Sequence, residues 1–136
     1  MSVNPYLTFN GDCELAFKFY EKCLGGKIEM MVPHAGTPAE GHVPAEWNDK
    51  IMHARLVLDD TLLMGSDAPP GMYVAPQGFS VAVQVKDPAE AERIFNALAD
   101  NGTVRMPIEP TFWAIRFGMC VDRFGIPWMV NCEQAQ

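Results

Sequence analysis

The chain has 136 residues and a mass of 15.1 kDa, so one domain of ordinary size is expected, with no room in these residues for a second enzyme domain. With 49% hydrophobic and 20% charged residues it has a globular composition, and no apolar run approaches the roughly 18 residues that a bilayer-spanning helix needs. A formal charge of -7 argues against a nucleic-acid partner, because affinity for a phosphate backbone is built from clustered cations. The first residues, MSVNPYLTF, carry no basic segment followed by an apolar stretch and a small-residue cleavage site, so a cytoplasmic protein is expected. Cys13, Cys23, Cys120 and Cys132 form no CxxC pair and are expected to be buried, reduced thiols.

In chain order, residues 3–9 alternate and end at Asn10-Gly11, the pattern of a strand and turn. A helix should follow, with Asp12 as its cap, Glu14 in its first turn, Ala16, Phe19, Tyr20 and Cys23 at helical spacing, and Gly25-Gly26 as its stop. Residues 27–32 read as a strand. The Pro-, Gly- and Ala-rich stretch over 33–50 is longer than most connections within a domain. Residues 51–58 and 61–66 read as strands joined by a two-residue turn at Asp59-Asp60. The order then repeats. Residues 81–85 form a strand, and Asp87-Pro88-Ala89-Glu90 offers an N-cap, a proline at the first helical position and a capping-box glutamate. Ala91, Ile94, Phe95 and Leu98 supply the helix's apolar stripe and Asn101-Gly102 its end. Three strands follow, over 103–107, 112–121 and 126–130.

Each half therefore reads β-α-β-β-β, over about 1–70 and 77–133, and the 33–50 stretch is an insertion in the first. The fold class is α+β. Alternation assigns two faces to the strands. An apolar set of Val3, Leu7, Phe9, Met52, Leu56, Leu58, Phe79, Val81, Val83, Val85, Ile115, Phe117 and Met119 should pack on the helices. The opposite set of Asn4, Tyr6, Thr8, His53, Arg55, Ser80, Ala82, Gln84, Ala114, Arg116, Gly118, Met129 and Asn131 is either a solvated surface or the lining of a cavity. Its small residues and few Lys or Glu favour the cavity.

The strings PYLTFNGDCELAFKFYEKCLGG and TFWAIRFGMCVDRFGIPWMVN resemble the PhnB-like branch of the vicinal oxygen chelate superfamily, which includes glyoxalase I, bleomycin-resistance proteins and extradiol dioxygenases. The resemblance covers almost the whole chain. It implies two modules forming curled mixed sheets around a cavity, and a homodimer. It also implies that Asn4, Ser80 and Met129 stand where divalent-metal relatives carry His, Gln or Glu. An amide, a hydroxyl and a thioether are poor donors for catalytic transition metals, so no metal and no cofactor are expected. Relatives are sometimes described as resembling demethylubiquinone methyltransferases, yet GGK and GTPAEG lack the G-x-G spacing and strand-to-helix context of a methyl-donor turn.

His53 and Arg55 share a strand face and could orient an anionic compound, against the plainer reading of a solvent-facing strand histidine. His34 and His42 read as surface-loop residues, Trp128 as core by its parity, and the methionines as adaptable packing. The expected function is binding of a small organic, anionic metabolite in a half-barrel pocket. His53 would be the catalytic acid/base for proton transfer or isomerisation at a carbonyl, and Tyr6, Arg55, Gln84, Trp113 and Arg116 would bind the substrate. The rivals are a non-catalytic drug-binding protein, which the net charge would steer towards a cationic guest, and a metal enzyme with other ligands.

Overall fold

The computed structural model describes residues 1–133 as two β-α-β-β-β units, the first running from Met1 to Val74 and the second beginning at Ala75. In the first unit β1 (Tyr6–Phe9), α1 (Cys13–Leu24), β2 (Lys27–Pro33), β3 (Ile51–Leu58) and β4 (Thr61–Asp67) build a four-stranded sheet of order β1-β4-β3-β2. The β1–β4 pair is parallel and the others are antiparallel. In the second unit β5 (Val81–Val85), α2 (Pro88–Ala99), β6 (Thr103–Glu109), β7 (Ala114–Val121) and β8 (Pro127–Glu133) repeat that arrangement in the order β5-β8-β7-β6. The architecture is α+β, as the order of elements implied, with mixed sheets, as the resemblance implied. No helix among the described residues is long and apolar enough to cross a membrane.

The first helix buries Cys13, Ala16, Phe17, Tyr20 and Cys23, and it packs on Leu7, Phe9, Ala54 and Leu56 of the sheet. Phe9, Phe17 and Tyr20 form its aromatic centre, with Phe9 and Phe17 edge to face at 6.2 Å between ring centroids. Burying each such ring contributes on the order of 1.5 to 3 kcal/mol. The helix ends where Gly25 takes up a left-handed conformation at φ +82°, open to glycine without steric cost, and donates its N–H to Glu21 O. The second helix buries Ala91, Ile94, Phe95 and Leu98, the stripe read from the sequence.

Several sequence expectations need correction. Asp12 makes no side-chain cap bond; the buried Asp67, at the far end of β4, does that work, since its Oδ1 accepts from Gly11 N and Cys13 N at 2.9 Å and its Oδ2 from Ile51 N at 2.8 Å. Val3 and Phe79 are exposed rather than core, because β1 starts only at Tyr6 and β5 only at Val81. Finally, β7 presents its faces opposite to the expectation. Gly118, Cys120 and Arg116 pair with the buried Val130, Trp128 and Cys132 and face α2, while Phe117 and Met119 pair with Asn131 and Met129 on the open side. The small residue is required there: a Cβ on Gly118 would lie 3.0 Å from Ile108 Cα and 3.1 Å from the Phe95 ring. Gly118 therefore makes room for a helix side chain and not for a ligand.

The 33–50 stretch is ordered by its own bonds and includes two short 3-10 turns, Glu40–His42 and Ala45–Trp47. His34, expected on the surface, is buried; its Nδ1 and its backbone N–H both lie 2.9 Å from Lys50 O. Trp47 donates its Nε1–H to Ala68 O at 3.1 Å, which fastens the loop to the end of β4.

Candidate functional site

On the side of the first sheet away from α1, paired residues form a transverse row of Tyr6, Met64, Arg55 and Met30. His53, two residues before Arg55 on β3, belongs to the same face. Tyr6 reaches across β4 so that its hydroxyl lies 3.2 Å from His53 Nδ1, and the two rings stack at 5.8 Å with an interplanar angle of 23°. Tyr6 is 47% exposed, so the pair is open to solvent and to a ligand. Arg55 Nε stands 3.1 Å from Glu29 Oε1 on the neighbouring strand. Its charge is thus partly matched, and the face is closer to neutral than its sequence suggested. The row combines an aromatic ring, two thioethers, an imidazole and a half-compensated guanidinium, a surface able to hold a flat or apolar body together with an oxygen acceptor.

The second sheet's open face is different in kind. Gln84 and Asn131, paired across β5 and β8, join by an Asn131 Nδ2–H bond to Gln84 Oε1 at 2.9 Å. Trp113 stands edge to face with Phe117 at 5.4 Å, and Phe112 beside it is 91% exposed. A turn built on Thr111, whose hydroxyl oxygen accepts from Ala114 N at 3.1 Å, holds these aromatics at the entry to β7.

Of the six residues singled out in the sequence, Tyr6, His53 and Arg55 meet on the first sheet, and Gln84 and Trp113 lie on the open side of the second. Arg116 does not share such a face. Its Nε donates to Glu92 Oε1 on α2 at 2.9 Å, and its Nη1 donates to Ile115 O. The parity argument that grouped Arg116 with His53 and Arg55 fails because β7 has apolar side chains on both faces, so alternation does not tell which of them meets α2. Met30, Met64 and Glu29 were missed as members of the site. Only cross-strand register reveals them, since each is unremarkable in its own segment.

The family model described as 3-demethylubiquinone-9 3-methyltransferase matches residues 1–131. The chain belongs to this family. It is 32% identical over 144 residues to the protein YjdN of Escherichia coli K12, covering 100% of this chain and 98% of that one. It is 52% identical to the protein PA1353 of Pseudomonas aeruginosa, whose crystal structure superposes with a TM-score of 0.91 over 99% of both chains. A PhnB protein from Bacillus cereus, 21% identical, superposes at 0.81 over 97% of this chain and 99% of that one. The fold is shared with a glyoxylase/bleomycin resistance protein/dioxygenase domain from Frankia sp. EAN1pec, at 13% identity and a TM-score of 0.69 over 98% of both. The PhnB-like resemblance and the superfamily fold read from the sequence are thus shown.

Two groups implied by these relatives can be tested against the residues present. For a divalent metal, the positions that the sequence resemblance sets against the donors of metal-using relatives hold Asn4, whose amide donates to Ser2 Oγ at 3.2 Å, together with Ser80 and Met129. No cluster of three His, Cys, Asp or Glu residues is placed to hold a metal ion among the described residues. This donor set does not fit a catalytic transition metal. For a methyl donor, the β1–α1 turn is the strand-to-helix junction to examine. Its Gly11 and Cys13 N–H groups already belong to the Asp67 carboxylate, so the junction does not fit a nucleoside or anionic group.

Proposed function

We propose that the protein binds a small organic molecule bearing a carbonyl or carboxylate oxygen on the open face of the first sheet, with His53 as the acid/base for a proton transfer beside that oxygen. The single observation that carries the reading is the Tyr6–His53 pair, an imidazole held by a hydroxyl and a stacked ring on an accessible surface. The neutral imidazole acts there first as the acid, giving a proton to that oxygen and taking it back as the product leaves, so no other reactant is consumed. Arg55 adds a charge-assisted donor to an anionic group, at a strength reduced by Glu29. Gln84 and Trp113 serve as further ligand contacts in the second unit, and a homodimer is the working form. Relatives of this fold named for bleomycin resistance favour a second reading in which the exposed sulfur and aromatic groups sequester a drug without chemistry.

Thermal shift separates the two, because a ligand that binds the native state raises its melting temperature. Small carboxylates and phosphonates should stabilise the protein, and His53→Ala should abolish most of that stabilisation while leaving the unliganded melting temperature within about 2 °C, as expected for a half-exposed strand position. Stabilisation by cationic aromatic amines alone, retained in His53→Ala, would overturn the proposal in favour of sequestration. Sedimentation velocity at micromolar concentration tests the dimer, and a species of one chain's mass refutes it.

A further inference from the structure

We infer that Tyr6 is a positioning residue that fixes neutral His53 as its Nε2–H tautomer, so that the open face of the first sheet offers a ligand an N–H donor and not a lone pair. The inference begins with the geometry of one contact. The Tyr6 hydroxyl lies 3.2 Å from Nδ1, the nitrogen nearer the backbone, and the rings stack with only 23° between their planes. Tyr6 belongs to β1 and His53 to β3, with β4 running between them, so the contact joins elements 47 residues apart and is not an accident of neighbouring positions.

Either group could supply the proton, and their chemistry decides which does. An imidazole nitrogen is by far the better base, since its conjugate acid ionises near pH 6.5, whereas a phenol ionises only near 10 and its oxygen is a feeble acceptor. Hence the hydroxyl donates to Nδ1, and the ring's remaining proton must sit on Nε2. The hydrogen bond on one ring nitrogen sets what the other can do. A ligand meeting Nε2 must therefore present an acceptor, such as a carbonyl or carboxylate oxygen. This consequence rests on the ligand reading proposed above, while the tautomer itself does not.

The check uses long-range proton–nitrogen NMR correlation of the imidazole at about pH 8.5, some two units above the ordinary histidine value, so that the neutral ring is observed. Wild-type His53 should show a single Nε2–H tautomer. Tyr6→Phe keeps the stacked ring and removes only the hydroxyl at a half-exposed position, and it should give a mixture of the two tautomers. Benzoate serves as the acceptor probe, and its dissociation constant should rise about fivefold in Tyr6→Phe. A wild-type ring in the Nδ1–H form, or a tautomer ratio indifferent to Tyr6→Phe, overturns the inference. A single tautomer that mixes in Tyr6→Phe, without benzoate binding, supports the positioning role and overturns the ligand reading instead. Tyr6→Leu removes ring and hydroxyl together; if it restores a single Nε2–H tautomer, the stacking and not the hydroxyl governs the ring and the inference fails.

Discussion

The side chain on which the first unit most depends is Asp67, and nothing in the sequence around it announces this. A buried carboxylate without an apposed cation would be costly, but three N–H donors surround it, from Gly11, Cys13 and Ile51. Asp67→Ala strands all three donors, two of them in buried contacts, and each such group costs about 1 to 3 kcal/mol. A loss of about 3 kcal/mol or more in urea unfolding is expected, with the first unit most affected. A change under about 1 kcal/mol would show that water replaces the carboxylate. Asp122 is the second unit's counterpart in kind: its oxygens accept from Phe124 N and Ile126 N and from Trp128 Nε1 at 2.8 Å, which ties a core indole to the β7–β8 turn. Here the sequence was legible, since Asp122-Arg123-Phe124-Gly125 reads as a turn and Trp128 falls on the core parity.

Among the elements, both helices were legible from their stripes, and β3 and β5 fall on the expected bounds. What the sequence could not convey was which group caps α1. Asp12 and Asp87 look alike one residue before their helices, but only Asp87 accepts from a first-turn amide, Ala89 N at 3.2 Å. Asp87→Ala should therefore cost about 1 kcal/mol, the usual worth of an N-cap, and Asp12→Ala only a few tenths. Equal losses in chemical denaturation would contradict the assignment. The faces of β7 were illegible for a related reason: alternation distinguishes faces only when one is polar, and Phe117 and Met119 are no less apolar than the Gly118 and Cys120 that pack beneath α2. The site inherits this limit. Tyr6, His53 and Arg55 lie on strands with clear alternation and share the face that alternation assigns them, whereas Arg116 lies on the ambiguous strand and does not.

For the whole molecule, the four cysteines are reduced and buried, and two carry a pH consequence. Burial first, and Asp122 second, pushes the Cys120 thiol up to about 11, while burial and the charges of Asp67 and Glu14 push Cys13 higher still. In the unfolded chain these thiols ionise near pH 8.5. The folded state therefore holds protons that the unfolded state releases, and their contribution is complete below about 8.5 and declines as pH rises towards 11. The denaturation midpoint should fall over that window, and Cys120→Ala should flatten the fall. A midpoint indifferent to pH between 8.5 and 10.5 would refute the account.

The contrast between the two helix starts also bears on the order in which structure arises. During synthesis α2 meets its cap at once, because Asp87 immediately precedes it, but α1 must wait until the chain has been extended by more than fifty residues to Asp67. Until then its first amides answer only to water, and the helix frays at the end where it must dock. Closing so long a loop before any reward is gained slows folding. The earlier-made half of this duplicated chain is thus the half whose first helix is completed by a distant residue, while the later-made half has a helix that starts on purely local terms.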